Sequence, residues 1–319
     1  MARYYLDFEK PIEELEEQIL KLQSVEDDQD LSAELIELIE RRDNKLREIY
    51  SNLSRWQRVQ LARHPERPFS MDYIEAITTD FVELHGDRSF ADDTALVGGI
   101  GKIDDQSVVL IGQQKGRNTK DNLYRNFGMM RPEGYRKALR LMKLGEKFNI
   151  PIVALVDTPG AYPGIGAEER GQGEAIARNL MEMAKLNVPI LAIVIGEGAS
   201  GGALGIAICD RLVMLENTWY SVISPEGCAS ILWHDAKRAP DAADAMKVTP
   251  DDLKEIGICD RIVEEPVGGA HREPDTMTTI LKNVILEELN LIEKDNQDAS
   301  FLESRIQRYE KMGIYQEPE

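Results

Sequence analysis

The sequence predicts an α/β protein in which buried parallel strands alternate with helices. Two apolar runs, residues 150–156 and 188–195, have no alternating polar positions, which is typical of strands covered on both faces of a parallel sheet. Each run ends in a glycine-rich turn and is followed by a predicted helix, at residues 168–186 after the first run and at residues 201–209 after the second. Strand, turn, helix and strand in this order make a βαβ unit, so the centre of the chain carries a repeated unit of this kind.

Helices are expected before this centre. Apolar residues at helical spacing predict an αα-hairpin within residues 1–60, interrupted by an acidic break at residues 26–30. A third helix is expected at about residues 70–84. Apolar runs at residues 95–101 and 107–111 then predict a β-hairpin.

Weaker strand candidates at residues 212–215 and 220–224 follow the centre, and a closing helix is predicted at residues 275–294. The expected organisation is an N-terminal helical region, a main domain and a polar C-terminal tail, at residues 1–68, 69–294 and 295–319.

Composition and charge exclude several classes of protein. The chain of 319 residues has a formal net charge of −19, which argues against general binding to nucleic acid or to an anionic membrane surface. No apolar stretch approaches the roughly 20 residues that span a bilayer, and charge follows too soon after Met1 for a signal peptide. Three cysteines supply neither a disulfide framework nor a four-cysteine zinc site. A cytoplasmic protein fits best.

One segment departs from the acidic character of the chain. Between Lys115 and Lys147 there are ten lysines and arginines against three acidic residues. Such a segment is either a solvated helix face or a site for an anionic ligand or an acidic partner.

The two glycine-rich turns, residues 160–166 and 196–202, are the strongest candidates for chemistry. Glycines allow the backbone to approach a ligand closely, and the N-terminus of a helix presents N–H groups that favour an anion. Two such turns at neighbouring strand ends would form an oxyanion hole made of backbone amides. The alternative is that the glycines serve only tight packing of helix on sheet.

Two other motifs suggest alternative chemistries. The residues around Ser200 satisfy G-x-S-x-G, so a serine hydrolase with His234 or His271 as the base is an alternative. A nucleotide hydrolase is disfavoured, because Lys115 precedes the second glycine of the only loop that approaches a Walker A pattern. The carboxylates of Asp157, Glu168, Glu169 and Glu197 are candidate acids, bases or helix caps.

An ordered set of segments resembles one family, the alpha subunits of bacterial acetyl-CoA carboxylase carboxyltransferase. The resemblance covers nearly the whole chain and rests on the set together, not on one motif. The segments are Val97-Gly98-Gly99-Ile100, Gly112-Gln113-Gln114-Lys115-Gly116-Arg117, Asn126-Phe127-Gly128-Met129, Asp157-Thr158-Pro159-Gly160-Ala161-Tyr162-Pro163-Gly164, Ser221-Val222-Ile223-Ser224-Pro225-Glu226-Gly227 and Pro266-Val267-Gly268-Gly269-Ala270-His271.

The resemblance implies a crotonase-like fold of repeated ββα units, the fold that Clp-type proteases share. It implies carboxyl transfer from carboxybiotin, held on a biotin carboxyl carrier protein, to acetyl-CoA. It also implies an α2β2 assembly with a beta subunit that carries a zinc ribbon, and no metal in this chain. ATP would be used by a separate biotin carboxylase.

The resemblance and the turns together suggest particular site residues. The biotin-side oxyanion hole is assigned to the backbone of Gly201 and Gly202, with Gly160 and Ala161 opposite. Substrate contacts, with coenzyme A phosphates or the carboxylate of carboxybiotin, are assigned to Lys115, Arg117 and Lys120.

Overall fold

The computed structural model describes residues 3–24, 29–296 and 300–313, and these form an eight-stranded mixed sheet with helices on both faces. Along the sheet the order is β1-β2-β3-β4-β5-β6-β8, and β7 pairs with the end of β5. The strands are β1 (Thr79–Glu83), β2 (Leu96–Ile103), β3 (Gln106–Gln113), β4 (Ile152–Thr158), β5 (Ile190–Ala199), β6 (Arg211–Leu215), β7 (Trp219–Ser221) and β8 (Arg261–Val263).

The predicted hairpin and the predicted parallel centre are both confirmed. Strands β2 and β3 pair antiparallel, whereas β3, β4, β5, β6 and β8 run parallel. Val156 lies directly opposite Val194 in the register of β4 and β5. All residues of both strands are buried, as expected for apolar runs without alternation.

Helices cover the two faces of the sheet. Alternate residues of β4 point into separate cores: Ile152 and Ala154 into one, Val153 and Leu155 into the other. The first core is closed by α6 (Pro132–Phe148), α8 (Gln172–Lys185) and α9 (Ser200–Ala207). The second is closed by α4 (Ser70–Ile77) and α13 (Pro274–Asp295).

The N-terminal region is helical, as predicted. A 3-10 helix (Asp7–Glu9) leads into α1 (Lys10–Gln23), α2 (Gln29–Tyr50) and α3 (Arg55–Ala62). Ile12, Leu46, Tyr50 and Leu61 form a small core between them. The first three residues of the predicted acidic break, 26–28, lie outside the described residues.

Short helices complete the described chain. They are α5 (Thr119–Tyr124), α7 (Ile165–Glu169), α10 (Pro225–Trp233), α11 (Ala239–Met246), α12 (Pro250–Glu255) and α14 (Phe301–Glu310), with 3-10 turns at Asn126–Gly128 and Ala236–Arg238. In the described segments no helix has the length and apolar character needed to cross a membrane.

Two helix boundaries differ from the prediction. The third helix ends at Ile77, because residues 79–83 pair with β2 instead. The helix expected over residues 168–186 is divided at Gly171, whose φ of 80° is left-handed. The segment predicted as a polar tail contains α14, where buried Arg305 binds Asp210 at 2.7 Å.

Candidate active site

The two glycine-rich turns meet at the carboxyl ends of neighbouring strands. The first follows β4 and contains Gly160 and Ala161, and the second joins β5 directly to α9. In open α/β sheets this edge is the usual place for a ligand. The structure therefore brings together the four residues that the sequence suggested for the oxyanion hole.

The first turn of α9 presents backbone N–H groups that the helix itself cannot satisfy. Gly201 and Gly202 are the second and third residues of this helix, and the first N–H groups of an α-helix have no intrahelical acceptor. The residue before the helix, Ala199, has no side chain that can cap it. The amides are thus available to an anion, and the helix dipole favours one.

The opposite side of this site is the peptide between Gly160 and Ala161. Gly160 has a φ of +147°, a conformation that side chains rarely allow, and Gly202 packs directly on this peptide. A Cβ on Gly202 would lie 2.5 Å from the nitrogen of Ala161. Among the described residues, none accepts a hydrogen bond from the Ala161 amide.

Ser200 stands at the junction of β5 and α9 with a φ of 58°. A strained, exposed serine at a strand-to-helix turn is also the geometry of a hydrolase nucleophile. However, within the described segments no histidine forms a hydrogen bond with Ser200. His85 contacts Asp92, His234 ends α10 on the surface, and His64 and His271 stack on each other. The hydrolase alternative therefore lacks its base.

A cavity of about 690 Å³ opens beside this turn. Ser200 and Gly201 form one border, and most of the remaining wall is apolar, with Leu204, Tyr220, Val222, Met246, Leu253, Ile256 and Ile258. An apolar cavity bordered by a few free polar groups is the common form of a small-molecule site.

A buried cluster of charges lies beneath the two turns. The Lys115 ammonium contacts Asp157 Oδ1 at 2.7 Å and Glu197 Oε1 at 2.8 Å. Asp157 belongs to β4 and Glu197 to β5, so Lys115 joins the ends of the two strands. Burial raises the pKa of Asp157, whereas Lys115 and Arg63 hold the pKa of Glu197 below its usual range despite burial.

The predicted substrate-binding cations differ in their surroundings. Lys115 is engaged by two carboxylates. Arg117 donates to the carbonyl of Arg67 at 2.8 Å, pairs with Asp72 and lies over the Phe69 ring. Lys120 is exposed. Lys115 and Arg117 could thus contact a substrate only if their ion pairs with neighbouring carboxylates were broken.

One group in the described part of the chain has the composition of a metal site: Glu9, His64 and His271, with ligand atoms within 4.8 Å of one another. The two imidazole rings stack at 3.7 Å with 21° between their planes, so their lone pairs lie in two nearly parallel planes and are poorly placed to converge on one ion. His64 also contacts the Glu66 amide and the Tyr4 carbonyl. The Arg272 guanidinium lies 3.6 Å from Glu9. This geometry does not favour a cation.

Sequence reasoning missed Gln113, the last residue of β3, which is fully buried beside the turns. Its side chain bonds to Asp157 and Gly202. The sequence does contain one indication of this role, a polar residue at the end of an otherwise apolar strand. A buried side-chain amide at such a position requires hydrogen-bond partners.

Comparison with known proteins identifies the class and then the family. The chain resembles solved structures of the 12S transcarboxylase (TM-score 0.54, 21% identity, 68% of this chain and 41% of that one). It also resembles a Pseudomonas malonate decarboxylase hetero-tetramer in complex with coenzyme A (TM-score 0.55, 16% identity, 67% and 85%). At these identities the likeness concerns the fold, which is the crotonase-like fold that the family resemblance implies.

The family model described as acetyl co-enzyme A carboxylase carboxyltransferase-like matches residues 5–313. Two relatives carry the name acetyl-coenzyme A carboxylase carboxyl transferase subunit alpha. The Chlorobaculum parvum protein is 54% identical over 100% of this chain and 99% of its own length. The Geobacter metallireducens protein is 55% identical over 99% of each. The chain belongs to the family of acetyl-CoA carboxylase carboxyltransferase alpha subunits.

Proposed function

We propose that this chain is the alpha half of a carboxyltransferase that moves a carboxyl group from carboxybiotin to acetyl-CoA and so forms malonyl-CoA, the first committed step of fatty acid synthesis. Membership of the family supports the reaction. The observation that carries the proposal is the close packing of two turns, Gly160–Ala161 and Gly201–Gly202, which both present backbone amides. These turns lie beside an apolar cavity.

The chemistry requires donors, not a nucleophile. Carboxybiotin would supply the carboxyl group: its N–C bond would break, with negative charge developing on the ureido oxygen. The carboxyl carbon would bond to the methyl carbon of acetyl-CoA, and the methyl proton would end on the ureido nitrogen. The amides of Gly201, Gly202 and Ala161 would donate to this oxygen in a site fixed before the reaction begins. Loss of one such donor costs about 2.7–4 kcal/mol of transition-state stabilisation in a measured hydrolase.

The second charge of the reaction develops on the thioester oxygen of acetyl-CoA, which calls for a second oxyanion hole. We assign it to the beta subunit, with the active site between one alpha and one beta chain in an α2β2 assembly. The zinc ribbon belongs to that subunit in this proposal. Carboxybiotin arrives on the biotin carboxyl carrier protein, and ATP is used only by a separate biotin carboxylase.

The role of the basic residues is a separate part of the proposal. Lys120 and, if its pairs open, Arg117 would meet the phosphates of coenzyme A or the carboxylate of carboxybiotin. Michaelis constants of Arg117→Ala and Lys120→Ala for the coenzyme A substrate and for biotin distinguish these ligands. Unchanged constants would leave Arg117 a structural residue that holds residues 65–72.

The deciding experiment is the reverse half-reaction, decarboxylation of malonyl-CoA in the presence of free biotin. This chain alone, the cognate beta subunit alone and the mixture are compared. We expect turnover in the mixture only, and only when biotin is added. A correctly assembled mixture without turnover would contradict the proposal.

A further inference from the structure

The side-chain amide of Gln113 connects the two halves of the candidate oxyanion hole. Its Nε2 donates to the carbonyl of Gly202 at 2.7 Å, in the first turn of α9. Its Oε1 accepts from the backbone N–H of Asp157 at 3.1 Å, near the end of β4. The residue itself ends β3 and is fully buried.

A primary amide fulfils both contacts, whereas an ionised carboxylate does not. One partner is a C=O and the other an N–H, so the side chain must donate at one end and accept at the other. A carboxylate would lose the donor, and an apolar side chain of equal length would lose both. Because Gln113 and Asp157 are buried, the carbonyl of Gly202 and the N–H of Asp157 would then lose these partners in the protein interior.

Gln113 thus contacts Gly202, the residue whose backbone amide is proposed to bind the oxyanion. Gly202 in turn rests on the Gly160–Ala161 peptide, with no room for a Cβ atom between them. A shift of the first turn of α9 would therefore move both sets of donors. Displacements of about 0.5 Å are enough to impair such a constellation.

We propose that Gln113 is a positioning residue for carboxyl transfer: its amide fixes the first turn of α9 against the end of β4 and so sets the geometry of the oxyanion hole. This inference rests on the proposed function. Gln113 itself touches no reacting atom, and it acts through the backbone of Gly202.

A second buried side-chain amide that contacts α9 provides a matched comparison. Asn179 is also buried, and its Nδ2 donates to the carbonyls of Tyr135 and Gly205 at 3.0 and 2.9 Å. Gly205 lies further along α9, away from the turn that carries the candidate donors. Loss of the Asn179 amide therefore removes one buried hydrogen bond to α9 and one to α6 without releasing the first turn of α9.

The test uses this chain with its beta subunit in the biotin-dependent decarboxylation of malonyl-CoA. The variants are Gln113→Met, Gln113→Glu and the control Asn179→Leu. We expect kcat to fall roughly 10-fold to 100-fold in both Gln113 variants, less than for loss of a donor itself. The Michaelis constants for biotin and malonyl-CoA should stay within about threefold, because ground-state binding is not the target. Asn179→Leu should lower the melting temperature and keep kcat.

The pH profile adds a readout that a merely structural role would not move. When the carboxyl of Gln113→Glu is protonated it can again donate to the Gly202 carbonyl, so kcat of this variant relative to wild type should rise as the pH falls. Gln113→Met should show no such recovery.

Three outcomes would overturn the inference. The first is a wild-type kcat in either folded Gln113 variant. The second is an equal loss of kcat in Asn179→Leu. The third is failure of both Gln113 variants to fold, because that result indicates a structural role. An inactive wild-type mixture is a different result, because it contradicts the proposed function and the inference with it.

Discussion

Gly202 lies so close to Gly160 that a Cβ atom on Gly202 would be 2.3 Å from the carbonyl carbon of Gly160. Carbon atoms in contact normally stay about 3.5–4.0 Å apart. The neighbouring Gly201 is different, because a Cβ there would meet only the Ile176 side chain, at 3.6 Å. The two adjacent glycines thus have unequal tolerance for a side chain.

This inequality gives the first prediction. Gly202→Ala, and more so Gly202→Val, should force the two turns apart and lower kcat of the assembled enzyme at least about 100-fold. Gly201→Ala should stay within about threefold of wild type, because it leaves the amide and its surroundings in place. The measurement is biotin-dependent malonyl-CoA decarboxylation, with assembly checked by size-exclusion chromatography. Activity retained in Gly202→Val would rule out the assignment of this oxyanion hole.

The second prediction concerns Ser200. Because no described histidine is bonded to it, Ser200→Ala should keep kcat within about threefold, and a fluorophosphonate probe should leave the protein unlabelled. Ser200→Gly serves as a control for backbone strain, since glycine accepts a positive φ without cost. Labelling of Ser200 together with a loss of several orders of magnitude in the alanine variant would restore the hydrolase alternative.

The third prediction concerns the buried cluster around Lys115. Lys115→Met leaves Asp157 and Glu197 buried without this cation, which should lower the free energy of unfolding by about 3–5 kcal/mol. The double variant Lys115→Met with Asp157→Asn should recover part of this loss, since Glu197 keeps Arg63 as its partner. Chemical denaturation of the single and double variants measures the coupling.

The exposed Lys120 provides the control for this cycle, because Lys120→Met should change the free energy of unfolding by no more than about 0.5 kcal/mol. If Lys115→Met were as stable as Lys120→Met, the cluster would not hold the strand ends. Lys115 would then be free for the substrate role that the sequence suggested.

The central sheet can be predicted from the sequence, because a strand buried on both faces is apolar at every position and shows no alternation. The runs that became β4 and β5 contain no polar residue until their carboxyl ends, where Asp157 and Glu197 appear. The glycine turns were equally visible, since close approach of Gly202 to Gly160 is possible only without a side chain.

Other features depend on contacts between distant parts of the chain. Lys115 looked like a free cation next to a glycine motif, because nothing local reveals that Asp157 and Glu197 converge on it. The sequence predicts a helix over the residues of β1, because only pairing with β2 decides the conformation of this strand. Gln113 was missed for the same reason: its two bonds reach residues 44 and 89 positions away.

The last prediction concerns the stacked pair His64 and His271. Burial lowers the pKa of His64 from 6.5 to about 4 and that of His271 from 6.5 to about 2. At these two positions the unfolded chain therefore binds more protons than the folded protein below about pH 6.5, so their contribution to the free energy of unfolding falls as the pH falls. Each histidine contributes up to about 1.4 kcal/mol per pH unit in this window, and above it neither contributes.

His271→Phe tests this dependence, because it keeps a ring against His64 and removes one titrating group. Both ring nitrogens of His271 lack partners within the described residues, so no hydrogen bond is lost. We expect the variant to be at least as stable as wild type at about pH 6 and to have a shallower decline towards about pH 5, measured by urea denaturation. His271→Leu covers the case that phenylalanine is too large, and the surface variant His234→Gln, which keeps the buried pair, should retain the wild-type slope. An unchanged slope in both His271 variants would mean that His271 is not the source of the acid sensitivity.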